Sequence, residues 1–374
     1  MLLAASGCDG RTTLRIARDA GAAKTDGSTV VWKGPCPEGT SLRAVPSDTP
    51  LKLDLLFMID DSLSMKEEQA NLARNFPRLI DELKKLPTGF PDLHLGVVSS
   101  DMGAGATAFG GACANYFGKG GVLQARSGCG LEEGRGRYLI SQQGGTVNNF
   151  KGDIGDVFAC LARLGTEGCG IEHQLQSVRM ALSGFVGENA GFLRSDAHLA
   201  VVYITDEDDC SAPADTTAFA TSTAGQDGSL LCSVYGHRCD GKAPPAEVFS
   251  TPLANCSAAP DGGGKLVPVQ TFVDEMKRLR TQSVSVSVIG GWPADVAGAS
   301  YAIGYDTPDY GGATLLASLP ICESANGKAN VELRMKQFVD AFGPSGKIIS
   351  ICQDDFSDAM AQVGELIDTT IQCQ

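Results

Sequence analysis

Positive charge is scarce in this chain: 30 Lys and Arg stand against 44 Asp and Glu, a net charge of −14 over 374 residues. That balance argues against nucleic acid and anionic membrane surfaces as partners, since both are gripped through Lys and Arg. Histidine is scarcer still, with four residues, and none of the cysteines stands in Cys-x-x-Cys spacing. A structural zinc site of the usual kind is therefore not expected. No apolar run reaches the length of a membrane-spanning helix. A Gly-x-Ser-x-Gly elbow, a phosphate-binding P-loop and a His-Glu-x-x-His pair are also missing. Without such constellations the chain does not read as an enzyme.

What is present begins with an apolar run, Leu53 to Ile59, interrupted only by Asp54. It predicts a central strand covered on both faces. The run stops at Asp60-Asp61-Ser62-Leu63-Ser64, which sets one carboxylate and two hydroxyls at alternate positions. A helix with apolar residues at Leu72, Ala73, Phe76, Leu79, Ile80 and Leu83 follows. An open α/β sheet presents ligand groups at the carboxyl ends of its strands in this way. Hard oxygen donors of this type suit Mg²⁺ or Mn²⁺ better than zinc. The same residues admit a plainer reading, in which Ser64-Met65-Lys66-Glu67 is a capping box and Ser64 only the N-cap of the helix.

A second apolar strand, Leu199 to Ile204, ends at Thr205-Asp206. Between the two strands lies a Gly-rich turn, Gly165-Thr166-Glu167-Gly168-Cys169-Gly170, that carries one Thr ahead of an amphipathic helix. An Asp-x-Ser-x-Ser after the first strand, then a loop Thr, then a strand-terminal Asp, resembles the metal-ion-dependent adhesion site of the von Willebrand factor type A domain. The resemblance spans roughly Leu51 to the C-terminus. It implies a doubly wound, mostly parallel, Rossmann-like α/β sheet. It also implies a metal set of Asp60, Ser62, Ser64, Thr166 and Asp206. Ser62 and Ser64 would then coordinate Mg²⁺ (or Mn²⁺) directly, while Asp60 and Asp206 act mainly through water. One position stays open for a carboxylate of a protein or glycan partner. Because such a site faces solvent, Asp60→Ala is expected to spare the fold. Glu172 reads either as a supporting group or as an acid favoured by a helix dipole, and the dipole is the simpler explanation.

The thirteen cysteines fit an exported, disulfide-bonded protein better than a cytosolic one. Their odd number requires one left over. Met1 to Gly7 followed by Cys8 resembles the end of a bacterial lipoprotein signal, which implies that Cys8 carries lipid and that twelve cysteines remain for pairing. The implied location is the bacterial cell envelope, as an outer-membrane lipoprotein that is periplasmic or surface-exposed. The pairs expected are Cys113–Cys129, Cys160–Cys169 and Cys36 with Cys373.

Length alone permits roughly two or three domains, but one set of sheet strands argues for a single enlarged one. Residues 1–8 read as a signal remnant, 9–50 as a tether, and 51–374 as the domain. Insertions fall at about 101–150, 207–265 and 291–330. Pro77 is expected to kink the first helix. The acidic run Asp206 to Asp209 raises the possibility of Ca²⁺ elsewhere in the molecule. It lacks EF-hand spacing, however, so Glu207, Asp208 and Asp209 read as a solvated turn. The four histidines read as structural. Three functions remain open: a metal-dependent binding or adhesion module, a metal-assisted hydrolase or phosphatase in the same crevice, and a disulfide-stapled scaffold without metal.

Overall fold

Alternate residues of the first apolar run face different helix layers. Leu53, Leu55, Phe57 and Ile59 pack on one side, Leu56 and Met58 on the other. This run is β1, Lys52–Ile59, buried along all but its first residue. The computed structural model of the protein describes residues 23–25, 28–30, 36–42, 50–86, 88–105, 111–221, 228–247, 249–279, 281–292, 301–306 and 315–373. After β1 come α1 (Lys66–Leu83), β2 (Asp92–Ser99), β3 (Leu139–Gln142), β4 (Val147–Asn148), α2 (Ile154–Leu161), α3 (Gln174–Leu182) and β5 (His198–Ile204). The chain continues through α4 (Gly228–Gly236), α5 (Val269–Lys277), β6 (Val284–Gly290), α6 (Leu333–Asp340), β7 (Gly346–Ser350) and α7 (Ser357–Gln372).

The central sheet runs β7-β6-β5-β1-β2-β3-β4. The first five strands are parallel, β3 pairs antiparallel with β2, and β4 pairs antiparallel with β3. Helices α1, α2 and α7 cover one face and α3, α5 and α6 the other. This is the expected doubly wound α/β fold. On the first face Phe57, Phe76 and Phe158 form one aromatic cluster, with Phe76 and Phe158 stacked at 3.7 Å. Helix α1 continues through Pro77 as one element. Asp54, the single polar residue inside the β1 run, is held by Arg194, whose Nε donates at 2.7 Å and backbone N–H at 2.6 Å.

Six disulfides pair the twelve cysteines after Cys8, which itself lies outside the described residues. Cys36–Cys373 ties the tether to the end of α7 as expected. The two local pairings are wrong: the bonds are Cys113–Cys169 and Cys129–Cys160. Cys129 sits in the core beside α2, where Cys160 lies, while the 111–114 turn reaches across to the Gly-rich turn that holds Cys169. Spatial proximity across the fold overrides nearness in sequence. The second and third insertions are also joined, because Phe249–Leu253 pairs with Tyr301–Asp306, which pairs with Leu315–Ser318.

Candidate functional site

Chain direction fixes where a ligand can sit. From β1 the chain passes to β2 on one side, then crosses back to β5 on the other, so the order reverses between β1 and β5. The crevice at such a reversal, outside the strands' carboxyl ends, is where open α/β sheets bind ligands. Asp60 leaves β1 there, and its N–H donates to Ile204 O at 2.9 Å. Asp206 follows β5 on the facing side.

Asp60 is fully buried. Its Oδ1 accepts from Ser62 N–H at 2.8 Å and Ser100 Oγ at 3.1 Å, and its Oδ2 accepts from Thr205 Oγ1 at 2.8 Å. The Ser62 and Ser64 hydroxyls are hydrogen-bonded at 3.1 Å, and Ser64 also interacts with the Asp206 carboxylate. The capping-box reading of Ser64 fails. Residues Leu63–Met65 form a 3₁₀ turn, and α1 begins without a side-chain cap. Asp60, Ser62, Ser64 and Asp206 are thus brought together. Full burial of Asp60 also corrects the expectation that Asp60→Ala spares the fold, since three donors would lose their acceptor.

Thr166 is half-buried at the edge of this cluster, and among the described residues its side chain makes no hydrogen bond to the other four. Its loop is nonetheless fixed. Gln69 Nε2 donates to Asp60 O and to Gly165 O, both at 2.9 Å, and Gly165 N–H donates back to Gln69 Oε1 at 3.2 Å. Gly168 N–H donates to Asp61 O at 2.9 Å. A side chain at Gly168 would run into Asp61, which explains the glycine.

Negative charge is concentrated around these residues. Burial raises Asp60 to about 6 and Glu68 to about 8, and pushes Asp206, Glu172 and Glu332 well above the usual carboxylate range. The Asp60 charge adds to the shift of each of the other four. Asp206 Oδ1, Glu68 Oε2, Glu332 Oε2 and both Glu172 oxygens are buried without a hydrogen-bond partner. Uncompensated buried carboxylates are costly. Among the described residues no three His, Cys, Asp or Glu side chains are placed to hold an ion by themselves, so other oxygens, such as the Ser62 and Ser64 hydroxyls, would have to complete a donor set. The donors present are all hard oxygens, and they fit a Mg²⁺-type ion.

Glu172 corrects the simpler reading given to it. It precedes α3, forms a backbone bridge with Asp101, and is fully buried towards Asp60 and Asp206. The acidic run is corrected too, because Asp208 and Asp209 are buried and Glu207 is half-buried. Asp208 accepts from the Arg334 and Met335 N–H groups, so it caps α6, and from His237 Nε2 at 2.6 Å. Asp209 accepts from Leu175 N–H at the start of α3 and pairs with the buried Arg334 guanidinium at 2.8 Å. Protein donors therefore engage both carboxylates, and the run anchors two helices. His94, His198 and His237 each hydrogen-bond a neighbouring element, and His173 is buried, in keeping with structural roles.

Sequence reasoning missed Thr205, Ser100, Gln69, Glu68 and Glu332. Ser99-Ser100-Asp101 did carry a signal, a polar trio where the apolar β2 run stops. Ser99 Oγ donates to Asp61 Oδ1 at 2.7 Å, and Lys119 contacts the other Asp61 oxygen. Glu68 and Glu332 carry no comparable signal, since both are ordinary helix-entry acids until the fold turns them inward.

No protein-family model matches the chain, and no curated protein matches it by sequence. Among solved structures it is similar to proximal thread matrix protein 1 of the mussel byssus, at 13% identity over 86% of this chain and 48% of that one, with a TM-score of 0.35. It is similar to the PilB minor pilin of Streptococcus sanguinis, at 10% identity over 88% and 63%, with a TM-score of 0.36. The chain spans less than two thirds of the length of each of these two. It is also similar to the vWF domain of the type V pili tip protein Mfa5 from Porphyromonas gingivalis, at 12% identity over 87% and 97%, with a TM-score of 0.36.

Proposed function

We propose that this protein is a metal-dependent binding or adhesion module of the von Willebrand factor type A kind, and not an enzyme. A Mg²⁺-type ion would lie at the β1/β5 crevice and take an acidic group of a protein or glycan. The observation that carries the reading is the convergence of Asp60, Ser62, Ser64 and Asp206 at the switch point, with Asp206 Oδ1 buried and unpartnered. Ser62, Ser64 and Asp206 would hold the ion, with Asp60 oriented by Thr205 and Ser100, and Thr166 approaching from its clamped loop. When bound, the ion supplies a Lewis-acidic position for an external carboxylate. The chain's own groups keep the donors in register, and the buried carboxylate charge would be left for the ion to offset.

Six disulfides support an exported protein, since such bonds persist in oxidising compartments. A bacterial envelope lipoprotein anchored through Cys8 fits the cysteine parity. The test is calorimetric titration of chelator-stripped protein with Mg²⁺ and Mn²⁺, beside Ser62→Ala. One saturable site, missing in the variant, is the expected result. Absence of binding in the wild type would leave a disulfide-stapled scaffold.

A further inference from the structure

Three glutamates stand around the crevice without belonging to the Asp-x-Ser-x-Ser run, the loop Thr or the strand-terminal Asp. Glu68 lies in the first turn of α1, Glu172 just ahead of α3, and Glu332 just ahead of α6. Glu172 and Glu332 are 0% exposed and Glu68 is 2% exposed. Both Glu172 oxygens, Glu68 Oε2 and Glu332 Oε2 have no hydrogen-bond partner. The Asp60 charge acts on all three, the Asp206 charge acts on Glu172 and Glu332, and the Glu68 charge acts on Asp206. Among the described residues no salt bridge reaches any of the three. The side chain that approaches Glu172 is Glu207, itself an acid. Carboxylates buried in this way cost the fold free energy and call for a positive partner.

The backbone holds each of them in place. Gly291 N–H donates to Glu332 Oε1 at 2.5 Å, and a side chain at Gly290 would collide with Glu332 Oε2. Gly327 lies so close to Glu68 Oε1 that a side chain there would strike it. Glu172 forms a backbone bridge with Asp101, and its carbonyl accepts from Cys210 N–H at 2.7 Å. Fixed from three different elements, these acids surround the crevice, and no three acidic side chains among the described residues converge on one point. That arrangement suits an ion that keeps its water. Mg²⁺ dehydrates reluctantly and retains several waters, whereas Ca²⁺ takes about six to eight oxygens, often from carboxylates that close in on it. We infer that Glu68, Glu172 and Glu332 accept hydrogen bonds from waters on the ion, and that this outer ring selects Mg²⁺ or Mn²⁺ against Ca²⁺. The three are positioning residues, acting on the ion through its waters. The inference rests on the metal-centred reading above and adds to it the ion's hydration and selectivity.

The experiment titrates chelator-stripped full chain with Mg²⁺ and, separately, with Ca²⁺, for the wild type and for Glu68→Gln, Glu172→Gln and Glu332→Gln. Each exchange keeps the shape of the side chain, and urea unfolding in chelator reports on the fold. The wild type should prefer Mg²⁺. Each variant should bind Mg²⁺ about ten-fold or more weakly, while Ca²⁺ affinity falls less and the preference narrows. In chelator the variants should unfold at the wild-type urea concentration or above it. Unchanged Mg²⁺ affinity in the three variants overturns the inference, and earlier unfolding in chelator beside it would show that the acids serve the fold. Equal losses for the two ions report only the general charge of the crevice and overturn it too, as does a wild type that binds Ca²⁺ as tightly as Mg²⁺. Failure of the wild type to bind either ion removes the metal reading itself, an outcome visible before any variant is made.

Discussion

The Thr205 hydroxyl donates to Asp60 Oδ2 at 2.8 Å, so the carboxylate ending β1 is oriented by the residue after β5. Thr205 also accepts from Gln174 Nε2 at 2.9 Å, which links Asp60 to the first residue of α3. Groups behind a metal ligand set its orientation, and their loss typically costs roughly ten-fold or more in affinity. Thr205→Val keeps the shape and removes the hydroxyl. It should weaken Mg²⁺ binding by about ten-fold while the protein still melts cooperatively. Wild-type affinity in this variant, measured by calorimetry, would show that Asp60 needs no such support.

Asp206 gives the sharper contrast between function and stability. Its Oδ1 is buried without a partner and faces the Asp60 and Glu68 charges. Asp206→Asn should abolish Mg²⁺ binding yet leave the metal-free protein at least as stable as the wild type, because a buried carboxyl that neighbouring acids oppose is replaced by a neutral amide. Urea unfolding in chelator reads the second effect. A destabilised variant would mean that Asp206 serves the fold rather than an ion.

The disulfide pattern makes a chemical prediction. Proteolysis without reduction, followed by mass spectrometry, should release peptides joined through Cys113–Cys169 and Cys129–Cys160. Replacing Cys113 and Cys169 together by Ser should cost about 2–4 kcal/mol. It should also weaken Mg²⁺ binding, since that bond braces the Thr166 turn. Peptides joined as Cys113–Cys129 would refute the arrangement of the loops around the crevice.

The sheet was legible because parallel strands buried on both faces read as unbroken apolar runs, as Leu53–Ile59 and Leu199–Ile204 do. Their terminal acids were legible for the same reason, since the run stops where the crevice begins. Glu68, Glu172 and Glu332 were not, because each looks like a surface acid near a helix start until tertiary packing buries it. Asp208 and Asp209 failed in the same way. Their partners, the N-terminus of α6 and the Arg334 guanidinium, lie more than a hundred residues downstream, beyond any local pattern. The cysteine pairs depended on which loops share one end of the sheet, and spacing carries no information on that.

The buried acids also fix how the metal-free protein responds to pH. A carboxyl whose folded pKa is raised holds its proton more tightly when folded. Its contribution is full below the unfolded value near 4 and is lost as pH rises through the folded pKa. Asp60, at about 6, has largely lost its contribution by neutral pH, while Glu68, at about 8, is still losing it; burial shifts Asp206, Glu172 and Glu332 in the same direction. His94 and His173 run the other way. Burial lowers both to about 4, so their contribution is present above pH 6.5 and lost only as pH falls. Between pH 6.5 and 8 Glu68 is losing its proton. Metal-free protein should therefore lose stability across that interval, by up to about 1.4 kcal/mol per pH unit for each group losing its proton. A bound cation takes the proton's place, so Mg²⁺ should stabilise more at pH 8 than at pH 6.5. Glu68→Gln should flatten the chelator curve. Urea midpoints measured at both pH values, with chelator and with Mg²⁺, test all three statements. Stability that rises with pH in chelator would show that these carboxylates are compensated from within the protein and need no ion.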